Sequence, residues 1–200
     1  MDFLLYSCKK RHFCPSCHQK RVVEFGEWLC AEVLKYVPHR QSVFSIPKRL
    51  RIYFMMDRRL LAKLSQCAWK VLSRYLKQTV AFEDAVPGAV IAVQSFSDFL
   101  GFNCHLHVIA TDGCFYGKGS FKTCPTPNPK DLEDLFRYEV FKMLKSEGKI
   151  NDLVIENMMN PADGGTDSTC TVVTSFGRTM KKGWKIWRAT SSEPPFPRSA

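Results

Sequence analysis

No stretch of this 200-residue chain reaches the ~18 consecutive apolar residues that a membrane-spanning helix needs. The opening residues Met1-Asp2-Phe3-Leu4-Leu5-Tyr6 lack the basic start and the apolar run of a secretory signal, so a cytoplasmic location is expected. Acid is scarce: 19 Asp and Glu stand against 29 Lys and Arg, a formal charge of +10. That shortage argues against a cationic partner and favours a polyanion, nucleic acid before an anionic membrane surface. Tyrosine stops at Tyr138. Cysteine is plentiful, and its odd count of nine fits free thiols or metal ligands better than a set of disulfides. An apolar share of 45% excludes wholesale disorder and is enough for one core of ordinary size.

The cysteines begin with Cys8, Cys14 and Cys17, the last two forming Cys14-Pro15-Ser16-Cys17 followed by His18. A Cys-x2-Cys knuckle places two thiolates on one zinc ion; Cys8 offers a third ligand, and His18 or His12 a fourth. No second knuckle follows within the next ~30 residues, so the alternative is a cluster of reduced thiols. Lys9, Lys10, Arg11, Lys20 and Arg21 crowd this cluster and are candidate phosphate contacts, or a solvated face.

Helical spacing of apolar residues runs from Val22 to Val37, where Pro38 stops it. Ser42–Ile46 alternates as a strand and leads to Pro47-Lys48-Arg49-Leu50-Arg51, whose cations Lys48, Arg49 and Arg51 are candidates for DNA backbone contact. Asp57 is placed to cap a helix to about Leu76, with Arg58, Arg59, Lys63, Lys70 and Arg74 outward. Ala89 to Phe96 reads as a central strand, and a helix is expected from Asp131 to about Glu147, ended by Gly148. Ile150 to Met159 begins another helix, and beyond Asn160 neither period persists.

The run of most chemical interest is Asn103-Cys104-His105-Leu106-His107-Val108-Ile109-Ala110-Thr111-Asp112-Gly113, a β-branched and apolar strand closed by Asp-Gly as by a turn. Side chains alternate along a strand, so His105 and His107 leave on one side about 7 Å apart, close enough to share a divalent cation. Pairing with the preceding strand would bring Gln94 near as an oxygen ligand, with Asp112 as another candidate. The plain alternative is two histidines hydrogen-bonded on a sheet face.

Together these motifs resemble the rolling-circle insertion-sequence transposases of the HUH, tyrosine-type class. The cysteine run resembles their N-terminal zinc-binding module, Ser45 to Arg51 the turn after it, and Asn103-x-His105-Leu106-His107-x4-Asp112-Gly113 their His-apolar-His motif. The likeness spans roughly residues 6 to 159. It implies an α+β fold in which an antiparallel sheet carrying the His-Leu-His strand is flanked by helices, with a partial zinc-knuckle module in front. The implied segments are 1–30 for that module and the start of a basic helix, 31–160 for the HUH-type domain, and 161–200 as an aberrant, disordered tail.

It also implies Mg²⁺ or Mn²⁺ at His105 and His107 with Gln94 or Asp112, Zn²⁺ at Cys8, Cys14, Cys17 and His18, and single-stranded or hairpin DNA as partner. No membrane and no small-molecule substrate are expected. The metal would polarise a scissile phosphate for attack by a tyrosine on a later helix, with activity lost below about pH 6 as the imidazoles protonate. That tyrosine is missing from residues 161–200, and the family's cysteines upstream of Cys8 have no room in seven residues, so a truncated, catalytically dead relative is expected. A non-catalytic zinc- and DNA-binding module is the second reading. A tyrosine-independent metal hydrolase using His105, His107 and Asp112 is the third.

Overall fold

The computed structural model describes residues 15–96, 101–159 and 170–175. Its centre is a four-stranded sheet of β1 (His39–Ser45), β2 (Ala89–Phe96), β3 (Phe102–Thr111) and β6 (Thr171–Ser175), in the order β2-β3-β1-β6. Every neighbouring pair is antiparallel. Helices α3 (Arg59–Val80) and α4 (Pro129–Ser146) cover one face, joined by α2 (Lys48–Met56) and α5 (Asp152–Met159); β4 (Gly113–Tyr116) and β5 (Ser120–Thr123) form a separate hairpin. This is the expected mixture of helix and antiparallel sheet. Among the described residues, no helix is long and apolar enough to cross a membrane.

The alternation of β3 builds the sandwich. Cys104, Leu106, Val108 and Ala110 point to the helices and are buried with Phe44 of β1, Leu64, Ala68 and Val71 of α3, and Phe136, Val140 and Leu144 of α4. A one-residue slip would send that set to the other face, so burial of this row also locks the histidines opposite it. Helix α3 has Arg58, not the expected Asp57, at its cap position and runs on to Val80 past Leu76; Asp57, one residue earlier, accepts the Arg59 backbone N–H at 3.1 Å. Its basic face is largely spent within the protein. Glu139 of α4, itself buried, pairs with Lys70 at 2.7 Å and Arg74 at 4.0 Å, and Lys63 pairs with Glu147.

Four further expectations need correction. The N-terminal helix α1 runs Pro15–Trp28, widens to one π-helical turn over Leu29–Val33, and stops at Leu34, whose backbone turns extended (φ −78°, ψ 121°), before Pro38 can act. Pro47 to Arg51 is the start of a helix and not a turn, because Pro47 suits the position before a helix and Leu50 and Phe54 repeat one turn apart on the core. Within the expected disordered tail, Thr171–Ser175 pairs with β1 along its length, with Val172 buried. Its run Thr-Val-Val-Thr-Ser has strand character that vanishes when composition is averaged over forty residues. The remaining tail, 161–169 and 176–200, lies outside the described residues.

The fourth correction is Asp112-Gly113, which is no hairpin turn. The chain passes straight from β3 into β4, with Asp112 N–H donating to the Pro38 carbonyl and Asp112 carbonyl accepting from Cys124 N–H, at 2.8 and 2.9 Å. Glycine is required there by proximity: a Cβ on Gly113 would sit 2.0 Å from the Lys122 carbonyl oxygen and 2.8 Å from the Thr123 Cα. Neither backbone atom can swing aside as a side chain would. Gly113→Ala is therefore expected to lower stability by about 1–3 kcal/mol, read as a shift of the urea midpoint, while Gly117→Ala leaves space around the new methyl and strains only the turn.

Candidate metal centre on the sheet

The face away from the helices carries His105 and His107, with ring centroids 4.9 Å apart and planes inclined at 68°. The rings thus converge further than strand spacing alone requires. Gln94, opposite His105 in the register, reaches diagonally to His107. Hydrogen-bond chemistry assigns the protons. The Gln94 amide nitrogen donates to the Phe96 carbonyl at 3.3 Å, which turns its Oε1 to His107 Nε2 at 3.0 Å, so Nε2 carries the hydrogen. His105 Nδ1 lies 3.0 Å from the Asn103 carbonyl, which can only accept, leaving His105 Nε2 with the lone pair. A backbone carbonyl holding the far nitrogen of an imidazole is the usual way a ligating histidine is oriented.

His107 is 4% exposed, and its Nδ1 is buried without a hydrogen-bond partner. Burial, with His105 beside it as the lesser cause, pushes its pKa down to about 4 from 6.5. The expected loss of function below about pH 6 therefore does not come from His107, which keeps a neutral ring well below that pH. The sign is set by linkage: the folded chain binds this proton more weakly than the unfolded one, so His107 stabilises fully above about 6.5 and its contribution falls as pH drops towards about 4. An NMR titration of chelator-treated protein should place the His107 ring midpoint near 4, and a midpoint at 6 or above would remove the argument.

The donor set suits a small hard-to-borderline cation. His107 Nε2 and Gln94 Oε1 are 3.0 Å apart in a hydrogen bond, and with His105 beside them these are the side chains that would hold an ion on this face. An ion there would displace one proton from between them, and that proton has a vacant home on the unpartnered Nδ1. Among the described residues no three His, Cys, Asp or Glu side chains gather into a metal-binding group.

Asp112 is not brought to the histidines. It lies five residues past His107, roughly 16 Å along the strand, buried in an ion pair with Arg40 of β1. The basic start of α2, by contrast, lies at the His105 end of the sheet. Ser45, three residues before Lys48, pairs with His105, and Arg51 acts electrostatically on Cys104. Lys48 and Arg49 are exposed there; Arg51 is half-buried. Lys20 and Arg21 are exposed on α1, the former 3.8 Å from Glu24. Of the cysteine cluster, Cys17 and His18 fall in the first turn of α1, with Cys17 half-buried. Cys8 and Cys14, with Lys9, Lys10 and Arg11, lie outside the described residues. Sequence reasoning missed the Asn103 carbonyl, because a backbone acceptor leaves no mark in residue type.

Comparison with known proteins bears on one end of the chain. Residues 1–46, from the cysteine cluster through α1 and β1, match the family model of the transposase zinc-binding domain of the IS91 type. No curated protein and no solved structure matches. The match gives the N-terminal region a zinc-binding character and points to a transposition-related protein.

Proposed function

We propose that the chain is a transposition protein that grips single-stranded or hairpin DNA and binds Mg²⁺ or Mn²⁺ through His105, His107 and Gln94. The observation that carries this is the gathering of His105, His107 and Gln94 on one sheet face, with His107 Nε2 and Gln94 Oε1 at 3.0 Å, in a chain whose first 46 residues match a transposase zinc-binding domain. The ion would supply charge for a phosphate oxygen in the transition state. Lys48 and Arg49, exposed on α2 beyond the His105 end of the sheet and on its helix side, would meet phosphates of a strand that runs past that end. His105 is held by the Asn103 carbonyl so that its free nitrogen keeps one direction.

Cleavage needs a nucleophile, and this sheet face has no tyrosine to offer from α4. Tyr138 is exposed on that helix, which packs on the opposite side. Tyr53 leans on the helix-side core, and Tyr116 stacks on Phe82 at 4.4 Å in the hairpin region. None of these three tyrosines faces the histidines, and the reading proposed is a chain that binds DNA and metal without nicking. Asp112, committed to Arg40, gives the hydrolase reading no general base.

Manganese binding followed by electron paramagnetic resonance tests the centre. The His105→Ala/His107→Ala double variant should lose at least tenfold in Mn²⁺ affinity, and Gln94→Ala should lose less. Undiminished Mn²⁺ binding in the double variant would end the assignment. Wild-type protein with Mn²⁺ should retain a DNA hairpin in a gel-shift assay and leave a labelled single strand uncut. A covalent protein–DNA adduct would overturn the non-cleaving reading while leaving the metal site intact.

A further inference from the structure

Strand β2 is one edge of the sheet, and among the described residues no strand pairs with its outer side. Its text, Ala-Val-Ile-Ala-Val-Gln-Ser-Phe, holds no charge and no proline over eight residues. Natural edges are usually guarded by lysine, proline or brevity, and this one has none of the three. The other edge, β6, is only five residues long.

The direction of the outer backbone groups can be derived. Thr111 N–H donates to the Gly88 carbonyl at 2.8 Å, and Gly88 stands opposite Thr111 in the register that pairs Ala89 with Ala110. Backbone groups alternate along a strand, so Val90, Ala92 and Gln94 turn theirs to β3 while Ala89, Ile91 and Val93 turn theirs outward. Regular pairing ends at the bulge between Gln94 and Phe96. The usable outer stretch is therefore centred on Ile91. Two-fold rotation about Ile91 sets Ala89 against Val93 of a second copy, Ile91 against Ile91, and Val93 against Ala89, about six mutual hydrogen bonds.

The geometry points to an isologous dimer in which β2 pairs antiparallel with β2 of a second copy of this chain, joining two four-stranded sheets into one. A net charge of +10 on each copy opposes association elsewhere, and this uncharged strip lets two copies meet without adding to that repulsion. Val93, 43% exposed, gains cover in the pairing. The two-fold axis stands perpendicular to the sheet, so both histidine pairs share one face. With ~4.8 Å between strands, the two His107 positions come about 16 Å apart. Their use as paired metal centres rests on the proposed function; the pairing itself does not.

Sedimentation equilibrium on the full chain, from about 1 to 200 µM, should show mass rising from 22.9 kDa to twice that value. Val93→Pro removes an outward N–H and spares every bond to β3, so it should stay monomeric with an unchanged melting temperature. Val93→Lys should do the same through charge. Hydrogen exchange should show the Ile91 and Val93 amides protected in the dimer and fast in Val93→Pro. A wild-type monomer throughout the range overturns the proposal, as does a dimer that survives Val93→Pro. Monomers with these amides protected would mean that another segment of the chain covers the edge, and mass beyond the dimer would mean head-to-tail growth; both overturn it. Loss of Mn²⁺ binding with the dimer intact would refute the metal reading alone.

Discussion

Asp112→Asn is expected to cost about 3–5 kcal/mol of folding stability and to leave Mn²⁺ binding at the histidines unchanged. Asp112 and Arg40 are both almost fully buried as an ion pair where β3 passes into β4. The asparagine would keep the shape and take the Asp112 charge away from the largely buried Arg40 guanidinium. Removing one partner of such a pair is far worse than removing both, because desolvation of the survivor is no longer offset. The double variant Arg40→Met/Asp112→Leu should therefore regain most of the loss. For a chain of this size the single change corresponds to a fall in melting temperature of about 10 °C. Scanning calorimetry on the three variants checks it. A loss below about 1 kcal/mol would mean that the pair is wetter than its burial indicates.

Phe136→Ala should be comparably severe, at about 3–5 kcal/mol. The ring is fully buried on α4 and meets Phe44 of β1 edge-on, with centroids 4.9 Å apart at 67°. Its removal deletes apolar area and leaves a cavity that helix and sheet cannot close without moving, and the aromatic pair adds about 0.5–1.5 kcal/mol beyond area. Phe136→Leu fills most of the space and should cost roughly half as much. Phe44 faces the helices, opposite the histidine face, so Mn²⁺ affinity of the folded fraction should hold. Urea unfolding followed by circular dichroism decides the matter. A Phe136→Ala midpoint within error of wild type would show that α4 is not seated on the sheet as described.

Much of the sheet was readable from local pattern. β2 runs Ala89–Phe96 as its β-branched run implied, and β3 pairs with it antiparallel across a short connection. The two histidines share a face because a two-residue period leaves no other choice. Helix α4 ends at the expected place, with Gly148 at φ +64°. Where local pattern failed, the deciding contact was distant in sequence. Arg40 and Asp112 are 72 positions apart, and nothing at Asp112 marks it as an ion-pair partner in place of a metal ligand. Lys70 and Arg74 read as a basic outer face until α4 brings Glu139 beneath them. Strand β6 needs β1 to exist: a five-residue β-branched run has no reason to extend until a strand with open hydrogen bonds lies beside it.

The sequence by itself determined the alternation that puts His105 and His107 together, the apolar rows that bury the other face, the basic balance, and the match of residues 1–46 to a transposase zinc-binding domain. These are short-range properties, set by the period of a strand or helix and by side-chain type. Tertiary structure alone decided which oxygen approaches His107, which nitrogen of each imidazole keeps its lone pair, and that Asp112 is spent on Arg40. Those choices rest on hydrogen bonds and charge pairs between strands far apart in the chain, and their energies depend on burial, which no single segment possesses before the sheet and helices have closed on one another.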